Sequence, residues 1–114
     1  MWPREKINAR LPRRVVGIEY NDPILVVFGE GWFLKLACPW SGSIGPLSVD
    51  WASPTVEDSA WELIGSNLIS TERGERDIDV TFKFDTAVLQ ARPDTDDDPW
   101  VLSLPDFVAV GGLG

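Results

Sequence analysis

Ile24-Leu25-Val26-Val27-Phe28 and, 54 positions later, Ile78-Asp79-Val80-Thr81-Phe82 are the stretches that decide the fold. The same spacing sets Val15 on Ile69, Ala37 on Ala91 and Pro39 on Pro93, across residues 15–39 and 69–93. A register kept over that length predicts a duplicated three-strand unit, each copy too small to bury its own face and so packed against the other. In the first copy the strands are expected at Arg14 to Tyr20, Ile24 to Phe28 and Trp32 to Ala37, with Asn21-Asp22-Pro23 and Gly29-Glu30-Gly31 as turns. Ile24 to Phe28 is apolar at every position, which predicts a strand covered on both faces. Ile78 to Phe84 alternates, which predicts a half-exposed strand. The third strands, Trp32 to Ala37 and Ala87 to Arg92, align with mismatched facing, so convergent patterning is the alternative to duplication.

Between the copies, Ser53-Pro54 reads as an N-cap followed by proline at the first helical position. Val56, Ala60, Leu63 and Ile64 supply the apolar stripe and Gly65 the stop. The helix should lie across the sheet, because a segment this short needs tertiary contacts to persist. Residues 39–52, rich in turn formers, read as loop, and Trp100 to Leu104 with Phe107 to Val110 as a closing pair of strands. The fold class expected is α+β: a mainly antiparallel sheet, two three-strand meanders joined by one short helix, and a C-terminal hairpin. A small all-β barrel or sandwich is the alternative.

The 114 residues suffice for one core. Five of the ten basic residues (Arg4, Lys6, Arg10, Arg13, Arg14) fall in the first 14 positions against Glu5 alone, which divides the chain into a basic arm, 1–14, and a globular domain, 15–114. The second part carries five basic and 17 acidic side chains. Such a body repels phosphate backbones and attracts cationic surfaces, so a basic protein partner is expected and nucleic acid is not; keeping a tryptophan-rich domain soluble is the plainer account of the same charge. With no long apolar run and no signal-like N-terminus, the expectation is a soluble cytoplasmic protein without a membrane partner. The single cysteine, Cys38, reads as a buried, inert thiol.

Much chemistry is missing. The absence of histidine removes imidazole bases and histidine-ligated metals, one cysteine precludes a thiolate cluster, and no GxGxxG or GxxxxGK[ST] string is present. No cofactor, metal or catalytic residue is expected. Glu57, Asp58 and Glu62 read as the solvated face of the helix, although carboxylates in a tryptophan-lined pocket define the rival reading, a small-molecule-binding or carboxylate-dependent enzyme domain. Asp94, Asp96 and Asp98 alternate like the first ligands of a calcium loop. Pro99 stands where the sharp-turn glycine belongs and Pro105 where the closing glutamate belongs, so calcium is not expected. The same run, Asp94, Asp96, Asp97 and Asp98, is instead the candidate patch for a cationic partner, with Trp100 as its aromatic anchor. Trp2, Trp40 and Trp100 adjoin prolines and are expected at the surface, whereas Trp32, Trp51 and Trp61 are expected in the core.

Asp77 to Asp85 with Ala87 to Ala91, the acidic run, Trp100-Val101-Leu102 and the closing Phe107 to Gly112 resemble an uncharacterised family of small bacterial domains, and Val15 to Phe28 fits its opening. The family pattern has a glycine in the turn where Thr86 stands. The resemblance implies the β-rich fold and brings no activity or ligand. The function expected is therefore a non-catalytic protein-binding domain, in its most concrete form an immunity-like or antitoxin-like inhibitor of a basic toxin or nuclease. A homodimer through a sheet edge is the other partnership considered.

Overall fold

A computed structural model describes residues 4–76, 78–94 and 99–111. The chain runs α1 (Arg4–Asn8), β1 (Arg13–Arg14), β2 (Gly17–Asn21), β3 (Ile24–Gly29), β4 (Trp32–Leu36), β5 (Trp40–Ile44), β6 (Leu47–Asp50), α2 (Val56–Ala60), a 3-10 turn (Trp61–Leu63), β7 (Asn67–Arg73), β8 (Val80–Phe84), β9 (Ala87–Ala91), β10 (Trp100–Leu104) and β11 (Phe107–Val110). All strand pairings are antiparallel. They build two sheets, β1-β7-β8-β9-β5-β6 and β11-β10-β4-β3-β2, which share one buried core and do not close into a barrel.

Each sheet is built on one three-strand meander, β2-β3-β4 or β7-β8-β9. The hairpins then cross over. β5–β6 follows the first meander but pairs with β9 of the second, while β10–β11 follows the second and pairs with β4 of the first. Most of residues 39–52, expected to be loop, is therefore a hairpin of two strands, β5 and β6, turning at Gly45-Pro46; the glycines and serines there reflect tight sheet packing as well as turning. Gly42 lies so close to β9 that a Cβ would stand 1.8 Å from the Val88 carbonyl oxygen.

The facing mismatch disappears in the structure because the spacing between β3–β4 and β8–β9 is 55, not 54. Leu25 and Val80 occupy equivalent rungs, as do Val27 and Phe82, Leu34 and Leu89, and Leu36 and Ala91. β2 and β7 correspond at 53, with Glu19 matching Glu72, because the β7–β8 connection is two residues longer than the β2–β3 turn: Arg73 pairs with Val80 where Tyr20 pairs with Leu25. A one-residue slip exchanges the faces of a strand, so aligning at 54 set outward Val26 against inward Val80. β3 is accordingly not covered on both sides. Leu25 and Val27 are fully buried, whereas Ile24, Val26 and Phe28 are half-buried on the outer face.

Residues 4–14 are not a detached arm. Ile7 is in the core, Asn8 Oδ1 accepts hydrogen bonds from the Thr71 backbone N–H and hydroxyl, and Arg10 Nε donates to the Pro105 carbonyl at 3.0 Å, with its guanidinium 5.2 Å from the Phe107 ring centroid. The segment of α1 and the turn after it thus bridges the sheets, α1 against β7 and Arg10 against the β10–β11 hairpin. So does the α2 segment, which contacts β6 of one sheet while its 3-10 turn contacts β2 of the other. α2 begins at Val56, later than expected, and its N-cap Thr55 makes no side-chain cap. The Ser53 hydroxyl is occupied elsewhere, accepting from Asp50 N–H at 3.0 Å and donating to Asp50 Oδ1. Cys38 is buried, and burial first, then the fields of Asp94 and Asp79, pushes its thiol up to about 12.

The Asp85–Thr86 turn shows why threonine suits that position. The Thr86 hydroxyl donates to Ser66 Oγ at 2.9 Å, and Ser66 donates in turn to Asp85 Oδ1, whose carboxylate also accepts from the Asn67 amide and backbone N–H. These bonds, Ser66 first, hold the Asp85 carboxyl below the usual range. A carboxyl depressed in the folded state contributes stability above its unfolded pKa, and that contribution is lost as pH falls through the folded value. Asp85→Asn is therefore expected to destabilise the domain at neutral pH and to reduce the stability lost at acid pH below the ordinary carboxylate range, measured by urea unfolding across pH. Identical acid profiles for the two proteins would contradict this.

Candidate functional site

Asp96, Asp97 and Asp98 lie outside the described residues, as do Trp2 and Asp77, and Asp94 is exposed. Trp100 is not a surface anchor. It is 1 % exposed, its ring meets Phe82 edge-on with centroids 5.5 Å apart, and its Nε1 donates to the Ile78 carbonyl at 2.9 Å. Alternation explains this better than the neighbouring proline does, since Trp100, Leu102 and Leu104 all point inward from β10. Trp40 is likewise buried, together with Ile44 on β5. The opposite correction applies to Trp61, expected in the core but 55 % exposed. α2 turns Val56 and Ala60 inward and the following 3-10 turn Leu63, which leaves Trp61 outside beside exposed Glu57, Asp58 and Glu62.

An open cleft lies next to that segment, between the β2–β3 turn and the residues leading into α2. Its volume is ≈ 260 Å³, and its walls include Tyr20, Asp22, Trp51, Pro54, Val56 and Glu57. Each wall has a local cause. Asp50 Oδ1 accepts from the Ala52 backbone N–H at 2.8 Å, and Trp51 N–H donates to the Trp40 carbonyl at 3.0 Å, which folds residues 50–53 tightly and sets the half-buried Trp51 indole. The Tyr20 hydroxyl donates to Asp22 Oδ1 at 3.0 Å. Its pKa is raised, by burial first, then by that bond and by the negative fields of Asp22 and Glu57. Two exposed carboxylates therefore act on one phenol in a cleft that also carries an indole. Carboxylates attract a cation electrostatically and aromatic faces attract it through their quadrupoles. The volume is below the ~300–1,000 Å³ usual for small-molecule sites and suits the head of a cationic side chain.

None of these cleft residues belongs to the acidic run that the sequence points to. Asp22 and Tyr20 sit about 30 residues from the 51–57 segment, and no motif signals that the two meet. Among the described residues, no group of three or more His, Cys, Asp or Glu side chains could hold a metal ion, and no helix is long and apolar enough to cross a membrane. Fold and site together define a class, a small two-sheet antiparallel β domain with an acidic, aromatic cleft. No family model, curated protein or solved structure matches the chain.

Proposed function

We propose that this chain is a non-catalytic protein-binding domain that docks a cationic partner, seating an arginine or lysine side chain in the cleft of Tyr20, Trp51, Asp22 and Glu57. The observation that carries the reading is the convergence of two carboxylates and two aromatic rings on one open cleft. Exposed Trp61 among Glu57, Asp58 and Glu62 extends that chemistry along the same segment, and the net charge of −8 favours approach by a basic surface. The finer form of the proposal is an immunity-like or antitoxin-like inhibitor of a basic toxin or nuclease, in a fold akin to the small bacterial domains that the sequence resembles. Asp94 to Asp98 would then steer association rather than anchor it.

The test is calorimetric titration with an arginine-rich peptide, free arginine and a tetramethylammonium salt. Peptide binding is expected to weaken about tenfold or more in Trp51→Ala and in Asp22→Asn/Glu57→Gln, and to fall with added salt. Equal affinity in wild type and both variants would remove the cleft from the interface. Binding of the small cations as tightly as the peptide would favour the rival small-molecule reading, because the same cleft chemistry accepts an organic cation.

A further inference from the structure

The outer faces of the two sheets occupy equivalent positions of the repeated frame, so each serves as a control for the other. On the β7 sheet one rung reads Glu72, Thr81, Gln90, Ser41, Asp50. The Lys83–Glu72 ion pair, at 3.0 Å, lies on that face. It is an ordinary solvated surface.

The matching rung on the β3 sheet reads Glu19, Val26, Lys35, Val101, Val110. The adjacent rung adds Phe28 and Phe33, the latter 37 % exposed. Contiguous apolar surface of this kind on a soluble chain marks an interface. We infer that the outer face of the β2-β3-β4 meander is a homodimer interface, in which a second copy of this chain packs face to face about a twofold axis running along β3.

The partner is identified by charge. Glu19 and Lys35 are the charged side chains of this face, and they sit on one rung, one strand to each side of Val26. They are roughly 10 Å apart at the usual strand spacing, and neither has an ion-pair partner among the described residues. A twofold along β3 exchanges the positions of β2 and β4 while keeping each rung. Glu19 of each copy then lies over Lys35 of the other, closing two reciprocal pairs around apolar contacts of Val26, Phe28 and Phe33. An axis along β4 would set Lys35 on Lys35 instead. An isologous interface must be self-complementary in this way.

This surface is separate from the cleft, and its test is independent of the cationic partner. Analytical ultracentrifugation of the whole chain from micromolar to sub-millimolar concentration should show a monomer–dimer equilibrium. Glu19→Lys and Lys35→Glu should each weaken it by about tenfold or more, since each places like charges together twice. The double variant E19K/K35E should return to within about twofold of wild type, because the pairs are re-formed with signs exchanged. Val108→Asp, on a strand outside the overlap, should leave dimerisation unchanged. A wild-type chain monomeric throughout, a double variant as weak as the singles, or a Val108→Asp effect matching that of Lys35→Glu would each overturn the assignment. Circular dichroism and urea unfolding of every variant establish that the fold is retained.

Discussion

Trp100→Ala is expected to lower the free energy of unfolding by about 3–5 kcal/mol, the range for truncating a large buried aromatic. The indole is 1 % exposed and packs edge-on against Phe82, itself fully buried, so alanine would leave a cavity at the junction of both sheets. Strand β10 starts there, paired to Leu36 of β4, and Gly111 N–H donates to the Trp100 carbonyl at 2.9 Å. A Cβ on Gly111 would fall within 2.5 Å of the indole nitrogen, which shows how closely the chain wraps this ring. Trp61→Ala, by contrast, should stay within about 0.5–1 kcal/mol of wild type, as changes at exposed sites do. Trp40 separates ring from nitrogen. Its Nε1 is buried without a hydrogen-bond partner among the described residues, so Trp40→Phe should cost less than Trp100→Phe, which gives up the bond to Ile78. Urea denaturation of the four variants measures all of this, and a Trp61 effect equal to that of Trp100 would show that the core is assigned wrongly.

Gly42→Val is expected to be comparably severe, at about 3 kcal/mol or more, or to prevent folding. The atoms that a side chain would meet are backbone, Val88 O at 1.8 Å and Leu89 Cα at 3.1 Å, and no rotamer change can move them. The β5–β9 pairing, which attaches the crossed-over hairpin to the second meander, would have to part. Gly45, three residues on, is the control: it has open space around it and a φ of 59°, so Gly45→Ala should cost only roughly 1 kcal/mol of backbone strain. Thermal unfolding of both variants decides the matter. Gly42→Val tolerated as well as Gly45→Ala would mean that β5 does not approach β9 so closely.

Both predictions concern features that local patterning conceals. Trp100 looks exposed in sequence because Pro99 and an acidic run precede it, yet the period-two alternation of residues 100–104 already carries the buried answer. Gly42 looks like a loop residue because Ser41, Gly42 and Ser43 share turn-forming composition. Only the register against β9 reveals that the missing side chain makes room for another strand.

The sequence by itself determined the repeated meanders, because apolar alternation is imposed rung by rung wherever one face of a strand is buried. It determined the closing hairpin, a short helical segment between the meanders and the absence of histidine and thiolate-cluster chemistry in the same direct way. The tertiary structure alone decided which sheet each hairpin joins, since Trp40 and Trp100 each begin a strand that can pair with either meander and only three-dimensional packing selects the distant one. It also decided the cleft. Tyr20 and Asp22 meet Trp51 and Glu57 through the bridging of two sheets, and contacts between residues far apart in the chain leave no periodicity for a single sequence to display.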